Sequence, residues 1–590
     1  MNWLVGIAEF VVNEILAVPA YLIGIITAVG LIALRKSTGQ VIGGALKATL
    51  GFLLIGAGAT LVVASLRPLG VMIQGAAGTQ GVVPTNEAIV GIAQNEFGAQ
   101  VAWLMILGFA ISLLLARFTP LHYVFLTGHH TLFMATLLTI VLATAGLPGA
   151  TVVAVGGLLL GIVMVSLPAI SQPWTKRITG DDSIAIGHFG TLGYIAAGIT
   201  GRFTGGSKSR STEDLKLPEG LRFLRDSMVA TALSMVLMYL AVSLIYLAKA
   251  GGGTAFEAFA DESGAGAATD VGNYLMMGVT QGLSFGVAVA VILFGVRTIL
   301  GELVPAFQGI AERMVPGAVP ALDAPIVFPY AQNAVLIGFV SSFVGGLIGL
   351  AVLSLWLGPA FGLVLVLPGL VPHFFTGGAA GVYGNATGGR RGAVAGGFVN
   401  GLIITFLPAL LVRVLGSFGS QNTTFGDADF GWYGILLGNA AKLGPVWGVI
   451  AMLAIGAGLL ALAVGVQRRL VDTDWDPSPG RPLPSAGEVS AAPSTLRSYA
   501  KIPAPAGAPA PPPPARARRR DPAPPPTRPT ATGGPRLAPR RAARRGRSPP
   551  RTSRRSPASP DGDRDPRHPA SGSPRAAPHR PGVPRSPADP

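Results

Sequence analysis

The sequence predicts an all-α polytopic membrane protein with about eleven transmembrane helices, re-entrant hairpins and an inverted repeat, followed by a disordered C-terminal tail. Three observations carry this fold class. Apolar runs of 17–24 residues with almost no internal charge recur up to residue 480. Half of all residues are hydrophobic and only 12% are charged, a balance that one water-soluble domain does not sustain. The formal charge of +16 is confined to residues 481–590, where Pro, Arg, Ala and Ser replace the apolar runs.

Residues 1–480 hold 22 Lys/Arg and 22 Asp/Glu, whereas residues 481–590 hold 22 Lys/Arg and 6 Asp/Glu. The expected organisation is a membrane domain over 1–469 and a Pro/Arg-rich, disordered cytoplasmic tail over 470–590. The tail has too little apolar surface to offset the entropy of ordering. Its arginines suit contact with anionic membrane lipids, and no specific nucleic-acid partner is expected. The chain has no cysteine, which excludes disulfides, thiolate metal sites and a cysteine phosphoryl carrier. No Gly-x-x-x-x-Gly-Lys-Ser/Thr string is present, so the chain does not hydrolyse ATP through a P-loop. No cofactor or metal is expected.

Spanning helices are expected near residues 11–34, 48–66, 100–117, 120–143, 149–168, 227–248, 274–297, 333–356, 360–380, 393–413 and 443–467. The first lacks Lys or Arg ahead of its apolar stretch, so it reads as a retained helix rather than a signal peptide. Arg35, Lys36 and Lys47 follow the first span, Lys176 and Arg177 the fifth, and Arg468 and Arg469 the last. Six Lys/Arg fall between Arg202 and Arg225, whereas the loop 249–273 carries Glu257, Asp261, Glu262 and Asp270 against Lys249 alone. The positive-inside rule then sets the N-terminus outside and the C-terminus in the cytoplasm, which an odd number of crossings satisfies.

Four segments are too polar or too rich in Gly and Pro for ordinary spans: Gly70–Gly98, Ile184–Thr200, Gly301–Pro329 and Leu370–Asn385. Irregular backbone survives at membrane depth only when buried in protein or lining a cavity, and carriers bind substrate at such places. Val83-Pro84-Thr85-Asn86-Glu87-Ala88 echoes Val319-Pro320-Ala321-Leu322-Asp323-Ala324, each with a carboxylate three residues after the Pro. An inverted repeat of approximately 1–200 and 225–467 accounts for the echo.

Ionisable residues within apolar sequence face a cavity or the bundle interior. On that ground one of His129 and His130, within Gly128-His129-His130, and His188, within Gly187-His188-Phe189, are substrate-binding candidates, as are Glu87 and Asp323. Adjacent helical residues point about 100° apart, so one of His129 and His130 is expected to face a given site. Thr85, Asn86, Gln308, Gln332 and Asn333 are candidates to complete a donor–acceptor lining. His122 reads as an interfacial residue, and His373 as either an interfacial or a ligand residue. Successive histidines on one helix chelate poorly, which argues against a metal site.

These motifs resemble the membrane-embedded IIC component of the bacterial phosphoenolpyruvate-dependent phosphotransferase system for L-ascorbate, over about residues 5–467. The resemblance rests on Ala116-Arg117-Phe118-Thr119-Pro120-Leu121, Tyr123-Val124-Phe125-Leu126-Thr127-Gly128-His129-His130, Gly81-Val82-Val83-Pro84-Thr85-Asn86-Glu87, Gly187-His188-Phe189, Leu322-Asp323-Ala324-Pro325 and Pro372-His373-Phe374-Phe375. It implies an eleven-helix subunit in the bacterial inner membrane, divided into a core and a V-shaped dimerisation domain and acting as a homodimer. The implied substrate site consists of Thr85, His130, His188 and Asp323, with Glu87, Gln332 and Phe374 as further lining. The implied partners are L-ascorbate and separate IIB and IIA chains, and this subunit forms no phosphoryl-enzyme intermediate. Gly190 departs from the family where some members carry a polar amide. The alternative from another class is a proton- or ion-coupled secondary transporter of a small polar anion, with Glu87 or Asp323 cycling protons.

Overall fold

The computed structural model describes residues 18–205, 209–215, 227–261, 263–315 and 317–480. The expected tail 481–590 and the start of the first span lie outside the described residues. The described chain is helical apart from short strands. Its helices, in chain order, are α1 (Pro19–Ala33), α2 (Thr38–Ala77), α3 (Asn86–Phe118), α4 (Gly128–Thr144), α5 (Gly149–Thr179) and α6 (Thr191–Gly205). After the basic segment follow α7 (Ser227–Phe256), α8 (Val271–Met314), α9 (Gln332–Val352), α10 (Gly378–Leu411), α11 (Ala428–Ala441) and α12 (Trp447–Val466). Among the described residues, 8 helical stretches are long and apolar enough to cross a membrane, and Pro19–Ile32 and Gly128–Thr144 are shorter apolar helices. The protein is a multi-pass membrane protein.

Several expected spans differ in detail. The run at 120–143 is not one helix, because a strand at Tyr123–Phe125 precedes α4. The run at 360–380 is not one helix, because a strand at Leu365–Val366 interrupts it; its second part and the run at 393–413 belong to one stretch, Leu370–Val414, broken at Gly389, whose φ of 60° and ψ of −149° suit only glycine. The expected tail boundary at 470 falls inside a π-helical turn, Gln467–Val471, and residues beyond it remain docked. Asp476 pairs with the buried Arg177 at 2.5 Å, Asp474 pairs with Lys176 at 2.6 Å, and the Ser478 hydroxyl donates to the Thr387 carbonyl at 2.9 Å. Acidic residues placed directly after the last span thus neutralise the basic end of α5.

The helices pack in two groups. In one, α2 lies against α1, α7 and α8; in the other, α3 packs on α5, and α10 lies between α6 and α9. Helices in lipid gain no hydrophobic drive from meeting each other, so close backbone approach through small residues supplies the contact. Gly201 and Gly205 of α6 meet Gly384 and Gly388 of α10 so closely that a Cβ on Gly205 would overlap the Gly388 carbonyl.

Six strands of two to four residues form two parallel sheets. In the first, β1 (Gly81–Pro84) lies between β5 (Leu365–Val366) and β6 (Thr423–Thr424), with Val82 opposite Val366 and Val83 opposite Thr423. In the second, β4 (Val319–Leu322) lies between β2 (Tyr123–Phe125) and β3 (Ala185–Ile186), with Val124 opposite Pro320 and Ile186 opposite Leu322. Each half of the chain therefore lends its middle strand to two strands of the other half. The echoing Val-Pro motifs are those two middle strands.

Candidate functional site

Each of the strands β1, β2, β3 and β6 ends shortly before a helix begins, and the polar candidates occupy those junctions. Thr85 follows β1 and precedes α3; its backbone N–H donates to the Thr424 carbonyl at 2.9 Å, and its hydroxyl makes no capping bond. Asn86 and Glu87 form the first turn of α3. His129 and His130 form the first turn of α4, and His188 lies between β3 and α6. Asp323 caps the 3-10 turn Ala324–Tyr330 after β4, accepting the Ala324 N–H at 2.8 Å. Asp427 stands at the start of α11 without capping it through its side chain. Side chains in strands this short are carried by the paired backbone, so the cross-paired sheets bring the junctions together.

They meet at a cavity of about 320 Å³. Thr85, Asn86, Glu87, His129, His130, His188, Asp323 and Asp427 line its polar side, joined by Phe133, Pro325, Pro372 and Phe375. His129 Nε2 lies 3.5 Å from Asp323 Oδ2, and His188 Nε2 lies 3.9 Å from Asp323 Oδ1. The imidazoles of His130 and His188 are 3.8 Å apart between centroids. Tyr194 holds His188 by a 2.8 Å bond between its hydroxyl and Nδ1; with Tyr194 donating, the His188 proton sits on Nε2, toward Asp323. Asn86 donates to Asp427 Oδ2 at 2.8 Å and accepts the Gly426 N–H at 2.8 Å, fixing the Asp427 junction to α3. His130 Nδ1 is buried with no hydrogen-bond partner, 4.0 Å from Asp427 Oδ2. Buried polar atoms are normally paired, so a bound polar group would satisfy it.

Of the seven residues expected to bind substrate, Thr85, Glu87, His130, His188 and Asp323 line the cavity, while Gln332 and Phe374 do not. Gln332 is exposed at the start of α9. Phe374 packs edge-on against Phe328 and Phe339, and its neighbour Phe375 faces the cavity instead. Asn333 is also elsewhere: its amide donates to the Thr212 and Leu215 carbonyls, while the Glu213 carboxylate accepts the Asn333 and Ala334 N–H groups. His122 donates through Nδ1 to the Ala116 carbonyl at 2.9 Å, and His373 bonds Ser342 at 2.8 Å between α9 and the turn preceding α10. Asp427 and Arg297 also line the cavity, at positions that no sequence motif marks. The signal for Asp427 was the polar stretch Gln421–Asp429 between two apolar runs.

Two side-chain triplets, His129–His130–Asp323 and His130–His188–Asp427, have donor atoms within 4.8 Å of one another. Bonds of roughly 2.1 Å in a tetrahedral site would set donors about 3.4 Å apart. The His129–Asp323 pair, at 3.5 Å, comes near that spacing, whereas His130 and Asp427 stand 4.0 Å apart. The cavity is better matched to an organic ligand with several hydroxyl groups: carboxylates and carbonyls accept, and imidazole and amide N–H groups donate.

A multi-span bundle whose broken elements enclose a polar cavity defines a membrane carrier. The family described as the sugar-specific permease component of the phosphotransferase system, EIIC-GAT, matches residues 14–429, and the chain belongs to it. The chain is also similar to the "Ascorbate-specific PTS system EIIC component" of Mycoplasma pneumoniae, with 29% identity over 440 residues. That alignment covers 68% of this chain and 66% of the relative, just under two thirds of its length.

Proposed function

We propose that the chain binds L-ascorbate in the 320 Å³ cavity and translocates it for phosphorylation by a separate IIB component, itself charged by IIA. The observation that carries this reading is the convergence of Thr85, Glu87, His130, His188 and Asp323 on one cavity. Asp427 and His129 complete the polar lining. Asp323 and Asp427 accept hydroxyl hydrogens of the substrate, and His129, His130 and His188 supply donors to its ring oxygens. No residue of this chain takes the phosphoryl group. The phosphorylated product carries more charge and does not return.

The group α3–α6 with α9–α12 carries the polar wall and moves as the core, while α1, α2, α7 and α8 form the dimer scaffold of a homodimer. The sheets in which each half clasps the other's middle strand support an inverted repeat of about eleven crossings with re-entrant segments. The N-terminus lies outside and the C-terminus inside the bacterial cytoplasmic membrane. The similarity to the ascorbate-specific relative supports the choice of substrate. Equilibrium binding of radiolabelled L-ascorbate to the purified chain tests it: saturable binding displaced by unlabelled ascorbate but not by a neutral hexitol is expected. Absence of saturable ascorbate binding, or displacement of the bound label by the hexitol, would overturn the substrate assignment.

A further inference from the structure

The wall opposite the polar junctions has a different chemistry. It is built by α8, which presents Val289, Leu293, Val296, Arg297 and Leu300 to the cavity, with Thr231 from α7 beside them. Residues at 289, 293, 296 and 300 share one helical face, so this wall is an apolar stripe. Arg297 is its one charged member. Among the described residues no carboxylate lies within ion-pair distance of Arg297; Asp323 is engaged with His129 and His188, and Glu302, one turn further along α8, pairs with Lys47 at 2.8 Å.

A guanidinium keeps its charge under all relevant conditions, and a cation inside a membrane bundle is costly unless it faces a cavity or an anion. The polar wall already supplies acceptors for hydroxyl groups. What it does not supply is a permanent positive charge.

We propose that Arg297 selects the anionic form of the substrate, pairing with its negative charge from the α8 wall while the polar wall binds its hydroxyl groups. This rests on the ascorbate reading of the same cavity. It assigns the two halves of recognition to the two helix groups: hydroxyls to α3–α6 with α9–α12, and charge to α8. A polyhydroxylated anion bridges them; a neutral polyol engages one wall only.

The test compares full-length wild type with R297M and R297K, each checked for monodispersity in detergent. R297M suits the apolar stripe and removes the charge, and R297K keeps a charge without the planar fork. The probes are L-ascorbate and its 3-O-methyl ether, in which the acidic enol proton is replaced and the ligand stays neutral. Wild type should bind ascorbate more tightly than the ether. R297M should lose roughly tenfold or more for ascorbate and little for the ether, since a hydrogen bond to a charged group is at stake. R297K should keep most of the preference. Equal affinity of R297M and wild type for ascorbate, or an equal loss for both ligands, would overturn the inference while leaving the ascorbate reading in place. If R297M does not fold, equal affinity of R297K for ascorbate and the ether overturns it. No ascorbate binding by wild type would overturn the proposed function and this inference together.

Discussion

Replacing Asp323 by Asn separates what the carboxylate does for the fold from what it does for a ligand. Its Oδ1 accepts the Ala324 N–H at 2.8 Å and so caps the turn that follows β4. Asparagine keeps an oxygen in that place, and Asn and Asp are near-equivalent caps. The substitution removes the negative charge facing His129 and His188, at 3.5 and 3.9 Å, and the stronger of two acceptors offered to substrate hydroxyls. A hydrogen bond to a charged group contributes about 1.5–3 kcal/mol, so Asp323→Asn should weaken ascorbate binding by about 10- to 150-fold. Asp323→Ala removes the cap as well and should cost a further 0.5–2 kcal/mol or so of stability. The assay is radioligand binding to purified protein, paired with thermal unfolding in detergent. The expected pattern is a large affinity loss in both variants and a clear stability loss in Asp323→Ala alone. Wild-type affinity in a folded Asp323→Asn protein would refute the reasoning, because the carboxylate would then serve only as a cap.

Other substitutions follow from the same geometry. His130→Ala and His188→Ala should each reduce uptake at least about tenfold at matched membrane abundance, since both rings line the cavity in mutual contact. His122→Ala, whose ring bonds only the Ala116 carbonyl among the described residues, should leave uptake within about twofold of wild type. Gln332→Ala, exposed at the start of α9, should bind ascorbate as wild type does, whereas Phe375→Ala should bind less tightly. Truncation after Gly480 should leave insertion and uptake intact. Truncation after Arg469 removes Asp474, Asp476 and Ser478 from their contacts with α5 and α10 and should destabilise the protein by about 2 kcal/mol, read as a lower unfolding temperature.

Much of this arrangement is legible in the residues, for physical reasons. Apolar runs mark the spans because lipid tolerates nothing else. The Val83-Pro84 and Val319-Pro320 segments stand out because glycine, proline and carboxylates interrupt hydrophobic sequence, and they are the two middle strands. His130, His188, Glu87 and Asp323 stand out because ionisable groups are rare there. The strands themselves are not legible: two to four apolar residues show no alternation, and each pairs with a segment far away in sequence. Without that pairing, the junction at Asp427 reads as an ordinary loop between spans. Arg297 is hidden for the opposite reason, since one cation in a long apolar run leaves the run readable as a span. Phe374 and Phe375 differ only in which side of a π-helical turn they occupy, and Gln332 lies on the exposed end of its helix; neither is decided by composition.

Delivery of the substrate as a phosphorylated product is what separates a phosphotransferase permease from an ion-coupled carrier. The most direct measurement loads proteoliposomes containing the full chain with IIB, IIA and the phosphoryl donor system, supplies L-ascorbate outside, and identifies what accumulates within. The account predicts ascorbate phosphate inside, formed only when phosphorylated IIB is present and unaffected by ionophores. Accumulation of free ascorbate without IIB, abolished by an ionophore that collapses the proton gradient, would contradict it and identify an ion-coupled transporter instead.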